Sequence, residues 1–396
     1  MFSTGVQFLK IIILPGIISL LFFVTSCQSR QDKDILAPGN ELVLESELVE
    51  VKYAKGFTVR QYPDYKILKV HNPWQGAQGI SFSYLLASDF KAIPDSLLKQ
   101  HILVSTPVDR IICTSTTHIA FLESLQKTGS VVGVSGTGLI TNEQVRDKLK
   151  EGLILDIGYE RSMNLENLVL LKPDLIMMYG IESEVTAYIQ KISDLGIPVV
   201  MNGDYLEQTP LGKFEWIKFI AAFYNLENEA SIIFDSIANQ YNFLKQKTEF
   251  VNKRPTVMTG MPWKDVWYIS AGNTVLSNFI KDAGGQYLWE DMVSSVAIPM
   301  DIENVFNKAG KADYWINSGI AESLSDIQEI DDRFRYFLPL IQKTVYNNNA
   351  RLNMEGGNDY WESGVTQPQL VLKDLINIFH SGLLPDSSLV FYKKLI

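Results

Sequence analysis

Between residues 51 and 104 the apolar positions come in short runs of strand length. Phe57-Thr58-Val59, Tyr65 to Val70 and Ile80 to Leu86 are separated by turn residues such as Asn72-Pro73 and Gly76. This predicts a small antiparallel β extension. From Pro107 the pattern changes. Arg110 to Thr114, Val131 to Val134, Leu175 to Met178 and Ile197 to Met201 are continuous apolar runs of strand length. Helical segments lie between them at Ser115–Leu125, Asn164–Leu171 and Val185–Leu195. Strands alternating with helices predict a mainly parallel sheet covered on both faces. Thr209-Pro210 then supplies a capping residue and a first-turn proline. Helical character continues to about Gln246, with a break near Tyr224-Asn225, and Ile233, Ile237, Tyr241 and Leu244 share one face. Glu227 to Lys247 as one helix is on the order of 30 Å long. The βα rhythm returns with strands at Pro255–Gly260 and Val266–Ser270, a helix ending at Gly284-Gly285, and a closing helix from Gln369 to His380.

The fold expected is therefore α/β. Two lobes with mainly parallel sheets, residues 105–208 and 251–396, are joined by linking helices over 209–250 and preceded by the extension over 51–104. One further pattern supports two similar lobes. Asn164-Leu165-Glu166 and Asp301-Ile302-Glu303 each place a glutamate in the first turn of a capped short helix followed by an Asp-led strand. A carboxylate there suits the positive end of the helix dipole, worth about 0.3–1 kcal/mol.

The N-terminus carries Lys10, an apolar run from Ile11 to Val24 and then small residues. That run is short of the roughly 20 residues a membrane span needs and has the form of an export signal. Val24-Thr25-Ser26-Cys27 resembles the lipobox of bacterial lipoproteins. The resemblance implies a signal over 1–26 and lipidation of Cys27, with several acyl chains making a stable anchor. The polar residues 27–50, with Pro and Gly, read as a tether. The other cysteine, Cys113, sits in an apolar run and reads as a small buried residue.

With 396 residues and 46% apolar content the chain can bury large cores, and a net charge of −10 argues against a nucleic-acid surface. Two cysteines build no disulfide framework. Only four histidines are present, and neither HExxH nor CxxC occurs. Val134 to Gly138 lacks the Gly-Lys-Ser/Thr ending of a P-loop and does not complete GxGxxG. Ser115 and His118 share one local loop with no third member of a triad. No enzyme is expected, and no cofactor.

Four segments carry a family resemblance: Pro107–Ile112 followed by Ser115–His118, Val132–Ser135, Asn164-Leu165-Glu166 with Leu171–Ile176, and Leu195–Val200. Thr209–Gly212 and Asp282–Gly285 fit as well. Over about residues 107–396 the chain resembles the periplasmic binding proteins that feed iron-siderophore, haem and vitamin B12 importers of the ABC type. The resemblance implies a monomeric, lipid-anchored periplasmic or cell-envelope protein that binds an iron chelate or corrinoid between its lobes. It implies an ABC permease dimer with its ATPase as partner, and Glu166 and Glu303 as the glutamates that meet permease arginines, a pairing that is charge-assisted. A glutamate at a helix dipole remains the plain alternative for each.

In two-lobe α/β proteins ligands sit near the carboxyl ends of strands. Loops there carry Ser115, Thr116 and His118, then Tyr159 and Arg161, then Trp263, then Arg351 and Trp361. Tyr159, Arg161, Trp263, Arg351 and Trp361 are the candidate cleft residues, since aromatic and cationic groups suit flat or acidic chelates. Ordinary packing is the plain alternative for each Trp. Trp74, in a turn of the extension, reads as an anchor that could also cap the cleft. Two rivals remain: a site for bare Zn²⁺ or Mn²⁺, to which the second lobe offers only His380, and a lipoprotein that binds a protein partner.

Overall fold

The computed structural model describes residues 46–159, 162–180 and 185–396. The expected signal, Cys27, most of the tether and Arg161 lie outside the described residues.

The extension is a five-stranded sheet in the order Glu47–Leu48, Phe57–Gln61, Lys66–His71, Ser81–Ala87, Ile102–Ser105. Its first three pairings are antiparallel, but the last is parallel. That departs from the antiparallel expectation, and the reason is the crossover between the last two strands, which contains the short helix Asp95–Leu98. Phe57, Val59, Leu68, Val70 and Tyr84 point into the main core, while Tyr65, Leu85 and Ile93 form a small second cluster. The sheet thus shares its core with the N-terminal lobe. Phe57 packs on Trp216 and Phe219 with ring centroids 4.8 and 5.5 Å away. Buried charges complete the seam. Glu215, fully buried, accepts the backbone N–H groups of Lys52, Tyr53 and Ala54 at 2.6–3.0 Å and the Lys218 ammonium at 2.8 Å. Glu207 accepts those of Lys55 and Gly56.

The N-terminal lobe centres on a parallel sheet ordered Val199–Met201, Leu175–Met178, Ile111–Cys113, Val131–Val134, Leu155–Asp156. All but the last strand are buried on both faces, which is why they read as continuous apolar runs. A Cβ at Gly133 would stand 2.8 Å from Leu171 Cδ1, so only glycine lets helix Leu165–Leu171 press directly on the sheet.

In the C-terminal lobe Gln286–Tyr287, Thr256–Thr259, Tyr314–Ile316 and Val345–Asn347 form a parallel sheet, edged antiparallel by Lys393–Lys394. The chain therefore ends on a strand, past helix Pro368–Phe379, where a helix was expected to close it. Buried Asp374 on that helix fixes the return by accepting the N–H groups of Val390, Phe391 and Tyr392. Strand Val266–Ile269 also departs from the βα rhythm. It pairs antiparallel with Pro262–Trp263 and Ile298–Asp301 in a separate three-stranded sheet.

Helices Pro210–Ala222 and Glu227–Lys247 link the lobes, and Asn225 with φ +56° breaks them. The first is buried over nearly its whole length. The second, 21 residues long, buries Ala230, Phe234, Ala238 and Tyr241, with Ile233, Ile237 and Leu244 partly covered.

Candidate functional site

Three strands of the N-terminal lobe end at one place. After Cys113 come Ser115 and Thr117, after Met178 comes Tyr179, and after Met201 come Asp204 and Tyr205. These five residues line a cavity of about 170 Å³. Ser115 caps helix Thr116–Ser124, and its hydroxyl meets that of Thr117 at 3.0 Å. Tyr179 and Tyr205 stand edge to face, centroids 6.2 Å apart. Asp204 is 2% exposed. It accepts from Thr117 Oγ1 at 3.4 Å, and Lys213 Nζ lies 3.7 Å from its other oxygen. Burial raises the Asp204 pKa, and the Lys213 charge opposes that shift. His118 is fully buried in helix Thr116–Ser124, and burial pushes its pKa down to about 3. It is a neutral core residue, so the cleft loop's histidine does not face ligand as the sequence position suggested.

The other lobe meets this edge through the segment 351–362. Thr116 Oγ1 donates to the Trp361 carbonyl at 3.4 Å, beside the cavity. Asn353 Nδ2 donates to the carbonyls of Gly138 and Ile140, and Thr141 Oγ1 donates to Asp359. Glu362, 1% exposed, accepts the backbone N–H groups of Thr141 and Asn142 at 2.8 and 2.7 Å. Burial pushes its carboxyl up to about 7, against the pull of those two donors. A smaller cavity of about 40 Å³ behind Trp361 is lined by Lys213, Phe279, Tyr360 and Val371 among others.

The structure places the sequence candidates unequally. Trp361 is 56% exposed between the lobes, with Tyr360 edge-on at 4.8 Å. Arg351 is half exposed but occupied: it pairs with Asp359 at 3.0 Å and lies over the Phe391 ring. Tyr159 is exposed, and its hydroxyl covers the turn at Gly136. Trp263 is 69% exposed on a hairpin whose turn residue Lys264 has φ +55°. Trp74 is 5% exposed, packs on Phe82 and pairs its backbone with Gly180, so it anchors its turn. The described residues contain no group of three or more His, Cys, Asp or Glu able to hold a metal ion. Cys113 is buried, which pushes its thiol pKa far up and removes it from chemistry.

Glu166 and Glu303 are both exposed in first turns, capped by Asn164 and Asp301. They differ in one respect. Arg333, held by Asp331 at 2.7 Å, pairs with Glu303 at 3.0 Å.

Tyr179, Asp204, Tyr205 and Lys213 were not singled out from the sequence. The signal was present: three of the four follow a strand's carboxyl end within four residues.

Residues 111–335 match the sequence model of the family described as periplasmic binding protein. An uncharacterized lipoprotein of Methanocaldococcus jannaschii is 27% identical over 365 residues, 86% of this chain and 84% of its own. Among solved structures, a possible iron-binding (periplasmic solute-binding) protein from Staphylococcus epidermidis aligns at TM-score 0.54 and 18% identity, covering 70% of this chain and 100% of that one. A periplasmic heme binding protein from Pseudomonas aeruginosa aligns at TM-score 0.53 and 14% identity, covering 72% and 97%.

Proposed function

The chain belongs to the periplasmic binding protein family, and we propose that it serves an ABC importer as a lipid-anchored solute receptor for a metal chelate. The cargo is a ferric siderophore, haem or a corrinoid, held between the lobes and handed to a permease. The observation that carries this reading is the tyrosine-walled cavity at the strand ends, with a half-exposed Trp361 brought to its edge from the opposite lobe. Aromatic faces contact a flat or bulky chelate over a large area, and hydroxyls and the Asp204–Lys213 pair fix its orientation. The iron and haem descriptions of the two solved neighbours, and the lipoprotein name of the relative, point the same way.

The protein does no covalent chemistry in this reading. Glu166 and Glu303 present one carboxylate per lobe to a two-fold permease. Arg333 must yield Glu303 on docking, which costs little because exposed pairs are worth about 0–1 kcal/mol. Cys27 carries the lipid, and the segment after it tethers the folded unit to the envelope.

The test is tryptophan fluorescence of the chain lacking its first 27 residues, titrated with ferrichrome, haemin and cyanocobalamin under inner-filter correction. Saturable quenching by one of the three, weakened at least tenfold in Trp361→Ala, is the expected result. Saturation by none of them refutes the chelate reading.

A further inference from the structure

The extension over 47–105 reaches the binding site. We propose that its Asn72–Gly76 turn is a third wall of the cleft, fixed to the N-terminal lobe and latched to the C-terminal lobe through Gln75 and Ser295. This rests on the chelate-receptor reading above.

The turn is held at its base. Asn72 at φ +47° and Gly76 at φ +79° bracket it, Asn72 N–H donates to the Ile80 carbonyl at 2.8 Å, and Ala77 N–H donates to the Trp74 carbonyl at 3.1 Å. The buried Trp74 pairs with Gly180, just past strand Leu175–Met178. The next residue touches both lobes. Gln75 N–H donates to the Tyr205 hydroxyl at 3.2 Å, and that hydroxyl in turn donates to the Gly180 carbonyl. The phenol of a cavity-lining tyrosine is therefore oriented by the extension on one side and its own lobe on the other. The Gln75 side chain points the other way, and its Nε2 donates to the Ser295 carbonyl of the C-terminal lobe. Ser295 follows Ser294, whose N–H is tied to Asn273 at 3.1 Å.

The two attachments differ in strength. On the N-terminal side the extension is locked by Glu215 and Glu207, which together accept five consecutive backbone N–H groups from Lys52 to Gly56. On the C-terminal side the turn makes one exposed, neutral hydrogen bond, which favours contact by about tenfold at most. The segments 138–142 and 353–362 bridge the lobes through several bonds, two of them to the buried Glu362. Asn278 Nδ2 to the Gln208 carbonyl is a comparable single exposed bond between the lobes, so when the lobes part the Gln75–Ser295 contact is among the first to break, and cargo passes at the extension's edge. Tyr205 acts as a positioning residue there, and Gln75 sets how long the edge stays shut.

The experiment is a Gln75→Cys/Ser295→Cys double variant of the full chain, oxidised with copper–phenanthroline, with the disulfide located by peptide mass mapping. Dissociation of ferrichrome, haemin or cyanocobalamin is then timed by stopped-flow fluorescence. The expected result is a 75–295 crosslink without ligand, a dissociation rate at least tenfold slower in the oxidised protein, and full recovery on reduction. Gln75→Ala should accelerate dissociation about threefold or more while leaving the melting temperature unchanged, which a merely structural role would not do. No crosslink in a folded double variant overturns the contact. A crosslink that leaves the rate unaltered overturns the wall and leaves the receptor reading standing. If none of the three probes binds the unmodified chain, the receptor reading falls and this inference falls with it.

Discussion

Glu362 should make the protein less stable as pH rises through neutrality. Its carboxyl is 1% exposed and meets the backbone N–H groups of Thr141 and Asn142 across the lobe boundary. Burial raises its pKa from 4.5 to about 7. A folded-state value above the unfolded one means the native protein holds the proton more tightly. The stabilising contribution is therefore complete below about pH 4.5 and is lost as pH climbs through 7. At 1.36 kcal/mol per unit, a rise of that size corresponds to about 3 kcal/mol between pH 5 and 8.5. Glu362→Gln stays neutral and keeps one acceptor oxygen for one of the two donors. It should be less stable than the parent at pH 5, by about 1–3 kcal/mol for the orphaned N–H, and should lose the Glu362 slope. The assay is urea unfolding of both proteins at pH 5 and 8.5. Lowered histidine pKa values at positions 71, 101, 118 and 380 push stability the opposite way, upward with pH, but they are common to both proteins and cancel in the difference. Parallel pH profiles for parent and variant would refute the reasoning.

Three other outcomes are expected. Glu215→Ala leaves three part-buried backbone N–H groups without their acceptor and the buried Lys218 ammonium with only the Glu50 carbonyl, so it should cost about 3–5 kcal/mol in urea unfolding and expose the extension to limited proteolysis first. Gly133→Ala drives a methyl to 2.8 Å from Leu171, and should cost about 1–3 kcal/mol, seen as a lowered melting temperature. Reversing both Glu166 and Glu303 to Arg should abolish uptake in cells while cargo affinity in solution stays within twofold, because both side chains are exposed and neither lines the cavity; intact uptake would remove their docking role.

The sequence carried the parallel sheets well because their strands, buried on both faces, leave continuous apolar runs such as Leu175–Met178. The helix break at Asn225 was legible for a local reason, since few residues tolerate φ +56° as Asn does. What escaped was decided by partners distant in sequence. The parallel edge of the extension depends on where the crossover through Asp95–Leu98 returns, and the closing strand Lys393–Lys394 depends on Asp374, on the preceding helix, gathering its approach. The candidate site follows the same rule. Trp361 was visible as an aromatic in a polar loop, whereas the role of Arg351 is altered by Asp359, a partner whose pairing no local pattern announces. Asp204 and Tyr205 have no distinctive spacing and gain meaning only because three strands end together.

The fastening of the extension also decides how force enters the molecule. The chain joins the folded unit at strand Glu47–Leu48, an edge strand paired over only two residues with Arg60 and Gln61. Tension from the N-terminal side would unzip that pairing one residue at a time. It would then reach Lys52, Tyr53 and Ala54, whose N–H groups converge on a single carboxylate and so bear load together. From Glu215 the load passes into the buried helix Pro210–Ala222. A pull from that end would thus be taken up first by a carboxylate on the linking helix, ahead of the strands that follow Gly56.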